Sequence, residues 1–241
     1  MRVLVVADIH ANYDALAALP DADLTLCAGD IVTFGGLPNE SLDWLGARRA
    51  FVIRGEEDDA VANGTFYPLP RHVERAGIAS RAWTRATLAP TRLARLASLP
   101  PEYETVVDGC RIAMVHAYPG DYNRYLGPTD DELDRMTRAF PRAQIIVTAH
   151  THRQGVRYYR EKLIVNPGSV GASAKGGHAA YVLIERGNVT FESRPYDVER
   201  AIGRIRATPL ASDVQDKCIR ELTEGSIRPY TRLPMRASVP A

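Results

Sequence analysis

The sequence predicts a mixed α/β protein, and three observations support this class. Up to residue 54, apolar runs alternate with segments of helical spacing in the order β, α, β, α, β. Each expected strand in this part ends in polar residues, which is where open α/β sheets bind their ligands. From residue 102 onward the chain turns to hairpins. The composition agrees, since 45% hydrophobic and 24% charged residues in a chain of 241 are typical of a globular protein with a sizeable core.

The first part of the chain contains expected strands that are continuous apolar runs, a pattern typical of strands buried on both faces. These runs are 2–7, 23–28 and 51–54. Asn12 is expected to cap a short helix over 15–19, which Pro20 ends. A second helix is expected over 38–49, after a Gly-Gly turn.

Hairpins dominate the later part of the chain. Asp108-Gly109 supplies the positive φ values that a type I′ turn needs, and it joins expected strands over 103–107 and 111–116. A helix with an acidic start is expected over 130–140. The remaining expected strands are 144–148, 156–159, 162–165, 180–185 and 189–193.

The domain organisation follows from where these patterns break. Residues 65–99 interrupt the alternation and predict two helices bounded by prolines, over about 71–88 and 91–97. We interpret them as a helical insertion near the expected functional site at the strand ends. Its role is either structural or substrate-selecting, and the sequence leaves this choice open. The chain is expected to form a main domain over 1–195 and a C-terminal helical tail over 196–241, whose Pro-rich end is loose.

Charge and cysteine content exclude several functional classes. Thirty Lys and Arg residues against 29 Asp and Glu leave a formal net charge of +1, so bulk charge gives no signal for nucleic-acid binding. The three cysteines are scattered, which is typical of a reducing compartment. The N-terminal apolar run is too short for a signal core, and no run of about 18 apolar residues occurs. We expect a cytoplasmic protein without a membrane segment.

Aspartates and histidines follow the ends of separate expected strands. They are Asp8, His10, Asp30, His116, His150 and His152. Residues i and i+2 of an extended strand end lie on one side, so the Asp-x-His pair and the His-x-His pair are each expected to converge on one point. Taken singly, each residue has a plain structural explanation, such as a capping turn or a hydrogen-bonded core histidine. Together they predict a metal site.

The types of ligand narrow the choice of metal. Carboxylates with imidazoles and without thiolates suit Mn, Fe or Zn, and the set is larger than one tetrahedral zinc ion uses. The sequence therefore predicts two metal ions, an arrangement that serves in-line attack on phosphorus.

The ordered motifs resemble those of the calcineurin-like metallophosphoesterases, especially a small bacterial and archaeal branch of predicted phosphodiesterases. The family's Asp-x-His, Gly-Asp and Gly-His-x-His boxes match Asp8-Ile9-His10, Gly29-Asp30 and Ala149-His150-Thr151-His152. His116 matches the family's late-hairpin histidine, and the Asn-Pro-Gly-Ser-Val-Gly loop begins at Asn166. The resemblance covers about residues 1–195.

The resemblance implies a fold and a set of ligands. The implied fold is a four-layer sandwich of two mixed β-sheets flanked by helices. One metal would be held by Asp8, His10, Asp30 and His152. The other would be held by His116, His150 and the bridging Asp30. The implied cofactors are two divalent or mixed-valence ions (Mn, Fe or Zn), and the implied nucleophile is a hydroxide that bridges them.

The third family box departs from the usual pattern. In the family it is Gly-Asn, then His or Cys, then an acid, whereas here it is Gly55-Glu56-Glu57-Asp58. Glu56 stands where a neutral Asn binds the second metal. As a ligand it would lower the charge of the pair, weaken hydrolysis at neutral pH and favour an ion such as ferric iron. The alternative is that Glu56 points away and one site is weak or empty. Ala117 and Ala149 also replace family glycines.

Glu57 stands where the family often keeps a histidine that donates a proton. Glu57 and Asp58 are therefore the candidate catalytic acids, provided that like-charge repulsion among these neighbouring carboxylates raises the pKa of Glu57. Aryl or phosphate leaving groups need little protonation, so we expect activated diesters or anhydride-like substrates to react better than alkyl monoesters.

Candidate substrate contacts flank the metal motifs. Asn12 follows the first motif, and the loop over 119–127 could place Arg124, Tyr122 and Tyr125 over a nucleotide. An ordinary exposed loop would have the same content. The expected partner is a small phosphoester or nucleotide-like substrate. The sequence leaves open whether the protein forms a homo-oligomer.

A metal-dependent phosphoesterase is the function that the sequence favours, with two alternatives. The first is a binding or scaffold protein that keeps the fold and a metal without turnover, as a retromer subunit of this fold is thought to do. The altered third box favours it, and the other ligand positions disfavour it. The second is a serine hydrolase, which is weakly supported because Ser169 lies in a Pro-Gly turn without the Gly-x-Ser-x-Gly elbow.

Overall fold

Two mixed β-sheets lie at the centre of the computed structural model, which describes residues 1–124, 126 and 129–225, and residues 236–238 as backbone alone. In spatial order the first sheet consists of β11 (Arg236–Ser238), β10 (Asn188–Pro195), β9 (His178–Glu185), β1 (Arg2–Val6), β2 (Leu24–Cys27) and β3 (Ala50–Val52). The second consists of β4 (Glu102–Val107), β5 (Cys110–Val115), β6 (Ile145–Val147), β8 (Lys162–Pro167) and β7 (Gln154–Tyr159).

Each sheet combines three parallel strands with antiparallel ones. In the first sheet β1, β2 and β3 are parallel, and β9 pairs antiparallel with β1. In the second sheet β5, β6 and β8 are parallel, and β4 and β7 close its two edges antiparallel. Parallel neighbours deliver their carboxyl ends to one edge of a sheet, so residues that follow these strands are brought together.

Helices cover the outer faces of both sheets. They are α1 (Tyr13–Ala17), α2 (Pro38–Gly46), α3 (Glu56–Asn63), α4 (Glu74–Thr87), α5 (Pro90–Ser98), α6 (Asp130–Ala139), α7 (Val198–Arg206) and α8 (Ser212–Thr223). Side chains alternate along β1, so Val3 and Val5 pack between the sheets while Leu4 and Val6 pack beneath α1, α2, α3 and α5. Helix α6 packs on the outer face of the second sheet. The four-layer sandwich of two mixed sheets flanked by helices is confirmed.

Two helices were not individually predicted from the sequence. Helix α3 begins with four consecutive acids, a run that we interpreted as a polar strand end. Acids in a first turn are favourable because they face the positive end of the helix dipole. Helix α8 lies in the expected C-terminal helical tail, within which the sequence did not delimit individual helices. The end of the tail, 226–235 and 239–241, lies outside the described residues.

The insertion and the tail pack against each other. Helix α4 contacts α3 and α8, and α7 contacts α1. A small apolar cluster joins Ala76 of α4 to Ile205 of α7 and Cys218 of α8. The boundary at residue 195 between the main domain and the C-terminal tail stays a prediction. Among the helices in the described part of the chain, none has the length and apolar character needed to cross a membrane.

Candidate metal centre

The candidate ligands lie at the carboxyl ends of strands from both sheets. Asp8 and His10 follow β1, Asp30 follows β2, Glu56 begins α3 after β3, His116 follows β5, and His150 and His152 follow β6. The two sheets therefore supply the two halves of one site. Apart from His152, all of these side chains are buried.

Sharp backbone turns, and not extended strand ends, direct several of these side chains. The φ angles of Asp8, His10, Asp30, His150 and His152 are 51°, 50°, 54°, 65° and 58°. This left-handed conformation costs an L-residue roughly 1–2 kcal/mol, so packing around the site must hold it. The expectation of extended alternation is therefore wrong here. The expectation that His150 and His152 converge on one point is also wrong. His152 lies with Asp8 and His10, whereas His150 lies with Glu56 and His116.

The ligand atoms form three overlapping groups. The groups are Asp8 with His10 and His152, Glu56 with His116 and His150, and Asp8 with Asp30 and His116. Within each group the ligand atoms all lie within 4.8 Å of one another. Every residue that the sequence predicts as a metal ligand thus belongs to one continuous cluster.

The first group centres on two facing imidazoles. The Nε2 atoms of His10 and His152 are 3.0 Å apart, a separation that two nitrogens adopt when they share one ion at about 2.0–2.1 Å. His152 can donate its Nδ1 proton to the carbonyl oxygen of Ala172 at 3.1 Å, which leaves the Nε2 lone pair for a ligand. Burial and the nearby His152 lower the pKa of His10 well below its usual value, so His10 is neutral and able to coordinate.

The second group centres on Glu56. Its two carboxylate oxygens lie 2.7 Å from Nε2 of His116 and 2.6 Å from Nδ1 of His150. Burial alone would raise the pKa of Glu56, but His116 and His150 lower it well below its usual value. His116 can donate its Nδ1 proton to the carbonyl of Ala28 at 2.6 Å. The alternative in which Glu56 points away is therefore wrong.

Asp30 lies between the two groups. Its Oδ2 atom is 3.5 Å from Nε2 of His116 and 4.0 Å from Nε2 of His10. Its Oδ1 atom accepts a hydrogen bond from the backbone N–H of Glu57 at 2.9 Å. Burial raises the pKa of Asp30 well above its usual value, and the Glu56 carboxylate raises it further. A side chain so placed can serve both halves of the centre.

The donor set fits divalent metal ions. Buried Asp8, Asp30 and Glu56 bring negative charge together, which a protein tolerates only with compensation. Asp8 Oδ1 accepts from the N–H of His150 at 3.3 Å, whereas the buried Asp8 Oδ2 has no hydrogen-bond partner among the residues that the structure describes. A cation would satisfy that oxygen and separate the like charges.

Residues around the ligands hold the backbone of the centre. The hydroxyl of Ser169 is buried, donates to the carbonyl of Asp8 at 2.6 Å and accepts from the N–H of Ala172. Ser169 therefore supports Asp8, and these contacts give no support to a serine nucleophile. Asn12 caps α1 as expected by accepting from the N–H of Ala15, and its amide donates to Gly171. A substrate contact of Asn12 stays a prediction.

The candidate acids in the third box have other partners. Glu57 accepts two hydrogen bonds from the guanidinium of Arg81. Asp58 Oδ1 accepts from the N–H groups of Ile31 and Val32, and Oδ2 from that of Gly55. Burial raises the pKa of Asp58 to about 6 against those hydrogen bonds. Catalytic roles for Glu57 and Asp58 stay predictions.

Sequence reasoning missed Arg81. It lies in the insertion helix α4, and no local motif marks it. Only the packing of α4 on α3 brings it to Glu57, and that packing joins segments 24 residues apart.

The candidate substrate loop lies near the surface. The Arg124 guanidinium lies 4.5 Å from the ring centre of Tyr118 and 3.4 Å from Glu132. Tyr122 meets Tyr67 edge to face at 6.2 Å. Tyr125 lies outside the described residues. The role of Arg124 toward substrate stays a prediction.

A family model identifies the superfamily. The model of the calcineurin-like phosphoesterase superfamily domain matches residues 1–188. The chain belongs to this superfamily. The resemblance found in the motifs is confirmed, and the carboxylate and histidine groups of this calcineurin-like phosphoesterase could hold metal.

Individual proteins and solved structures are also similar to this chain. The uncharacterised protein MJ0912 of Methanocaldococcus jannaschii is 27% identical over 229 residues, covering 84% of this chain and 91% of its own. A metallophosphoesterase from Sphaerobacter thermophilus has a TM-score of 0.70 and 23% identity, over 90% of this chain and 98% of that one. The hypothetical protein PH1004 from Pyrococcus horikoshii OT3 has a TM-score of 0.76 and 19% identity, over 93% and 98%. At these identities the two structures show the shared fold.

Proposed function

We propose that the chain hydrolyses phosphodiester or activated phosphoester bonds with a pair of bound metal ions. The observation that carries the proposal is the convergence of the Asp, Glu and His side chains into overlapping groups within 4.8 Å. A single ion would leave part of this cluster unused. Two ions with a shared carboxylate use all of it.

Each group has a defined part in the proposal. Asp8, His10 and His152 would hold one ion and Glu56, His116 and His150 would hold the other, and Asp30 is placed to serve both. When bound, such a pair supplies a hydroxide nucleophile and stabilises charge on the phosphoryl oxygens. The N–H of Glu57 fixes Asp30 through Oδ1, so that Oδ2 faces both groups.

The contacts of Glu57 support the substrate class. Both of its oxygens accept hydrogen bonds from Arg81, at 2.9 and 2.7 Å, so the pair leaves neither oxygen placed to protonate a leaving group, even though burial raises the pKa of Glu57. An alkyl leaving group needs a proton more than an aryl or phosphate group does. Activated diesters and anhydride-like substrates are therefore the substrates that this centre suits best.

The test is a comparison of substrates and variants with added Mn²⁺. We expect Mn²⁺-stimulated hydrolysis of bis(4-nitrophenyl) phosphate that exceeds hydrolysis of an alkyl monoester. Asp30→Ala and His150→Ala should reduce it to background, whereas His178→Ala, outside the centre, should retain it. Faster cleavage of the alkyl monoester would contradict the substrate class. Tight Mn²⁺ binding without hydrolysis of any phosphoester would favour the scaffold alternative.

A further inference from the structure

Arg81 and Glu57 form a buried ion pair beside the metal centre. The Arg81 Nε and Nη2 atoms donate to the two oxygens of Glu57 at 2.9 and 2.7 Å, and Nη1 donates to the carbonyl of Tyr67 at 3.1 Å. Only 12% of the Arg81 side chain and 4% of the Glu57 side chain are exposed. A two-point pair of this kind fixes the orientation of both side chains.

Each of the four acids in the first turn of α3 has a separate partner. Glu56 faces His116 and His150. Asp58 accepts from backbone N–H groups, and Asp59 pairs with Arg54 and the hydroxyl of Tyr67. Glu57 is the acid whose partner comes from α4, in the insertion. The insertion thus acts on the turn that carries Glu56.

The first turn of α3 contacts both halves of the centre. The Glu56 side chain reaches the second group of ligands, and the N–H of the next residue, Glu57, donates to the bridging Asp30. Glu56 and Glu57 are adjacent like charges in a buried place. Without a cation of its own, Glu57 would repel both Glu56 and Asp30 and would have to move toward water.

We propose that Arg81 is a positioning residue for the second metal ion. It acts through Glu57 to hold the first turn of α3, and so keeps Glu56 against His116 and His150. The inference deepens the proposed function and rests on it, since it requires Glu56 to bind a metal. It gives the helical insertion a role in the centre itself.

The test compares two arginines on the same helix. Arg85 follows Arg81 by one turn of α4 and donates to the carbonyls of Val61 and Ala62 at the other end of α3. Arg81→Met should weaken binding of the second Mn²⁺ ion about 10- to 100-fold in titration calorimetry, as loss of a residue that orients a ligand does. It should also change the visible absorption of the Co²⁺-loaded protein. Arg85→Met should leave both measurements as in the parent, even if it lowers the melting temperature.

A second variant separates positioning from simple loss of packing. Arg81→Met with Glu57→Gln leaves no unpaired charge at residue 57 to repel Glu56 and Asp30, so most of the second-ion affinity and the Co²⁺ spectrum should return. If Arg81→Met does not fold, Arg81→Lys keeps the charge without the two-point geometry, and it should show a smaller loss of the same kind.

Three results would overturn the inference. They are second-ion binding in Arg81→Met equal to that of the parent, an equal loss of the second ion in Arg85→Met, and a double variant that binds the second ion no better than Arg81→Met does. The proposed function fails separately, if the parent protein binds no Mn²⁺ or if His116→Ala binds two ions as well as the parent does.

Discussion

Glu56 is the residue that most distinguishes this centre from the family pattern. A neutral Asn is expected at this position from the resemblance, whereas the structure has a carboxylate in contact with two imidazoles at 2.6 and 2.7 Å. Each added carboxylate removes one unit of positive charge from a metal pair. A less positive pair acidifies the attacking water less, so the working pH of the enzyme should be higher.

Replacement of Glu56 tests this effect of charge. We expect Glu56→Asn to keep two Mn²⁺ ions and to move the acidic limb of the pH–rate profile down by roughly one unit, within the range over which local charge moves the pKa of such a water. Elemental analysis and a pH–rate profile measure the two quantities. Asp59→Asn, in the same turn but facing Arg54, is the matched control and should leave the profile in place. If Glu56→Asn changes neither the pH–rate profile nor the metal stoichiometry, the hypothesis that Glu56 sets the working pH of the centre is wrong.

The convergence of the candidate ligands was predictable from the sequence, and their surroundings were not. Short motifs at strand ends identify Asp8, His150 and the others because a metal needs carboxylate and imidazole donors, and the strand ends of this fold bring such donors together. The left-handed φ of His150 and the pairing of Glu57 with Arg81 depend on packing between distant segments. The spacing of residues along the sequence does not indicate contacts of this kind.

At the scale of elements, the approach of α3 to β2 depends on Gly55. Gly55 precedes α3 as its N-cap with an unremarkable φ of −99°, so space and not backbone strain requires a glycine. A Cβ atom there would lie 2.1 Å from Oδ1 of Asp30 and 2.6 Å from its backbone nitrogen. A side chain at residue 55 would force α3 and Asp30 apart.

We therefore expect Gly55→Ala to lower the free energy of unfolding by about 1–3 kcal/mol, the usual effect of overpacking, and to weaken Mn²⁺ binding. Urea unfolding and titration calorimetry measure these effects. Gly203→Ala is the matched control, because nothing lies within 4 Å of a Cβ at this position in α7. It should raise stability by about 0.5–1 kcal/mol and leave Mn²⁺ binding intact. Equal Mn²⁺ affinity in Gly55→Ala and the parent would contradict the close approach.

Elements with strong local signals were predicted, and those fixed by tertiary packing were not. The hairpin at Asp108-Gly109 formed as expected, with φ values of 49° and 81°. Helix α3 was missed because it begins with four acids and its apolar residues, Ala60, Val61 and Ala62, are consecutive, so they show no helical period. The order and extent of the strands in each sheet depend on pairing between segments that are distant in the sequence. The periodicity of a single segment carries no information about that pairing.

At the scale of the whole molecule, the centre lies where the two sheets meet. Ligands from β1 and β2 belong to the first sheet and those from β5 and β6 to the second. The buried carboxylates Asp8, Asp30 and Glu56 all follow strands of the first sheet, whereas the second sheet supplies histidines. Folding brings these three carboxylates together at one edge of the first sheet, and their mutual repulsion opposes it. A bound cation relieves that repulsion only in the folded protein, which couples metal binding to global stability.

Metal addition should therefore raise the melting temperature. At a free Mn²⁺ concentration one hundred times the dissociation constant, binding adds about 2.7 kcal/mol to the free energy of unfolding. For a chain of this size that corresponds to a rise of roughly 5–10 °C, which calorimetry would measure and EDTA would reverse. Asp30→Ala removes the bridging carboxylate and should abolish most of the rise. Asp134 lies on α6, where its carboxylate contacts Tyr159 and Arg160. Asp134→Ala should therefore retain the full rise in melting temperature. If Mn²⁺ stabilises Asp30→Ala as much as the parent, the ion binds elsewhere and the buried cluster is not the metal centre.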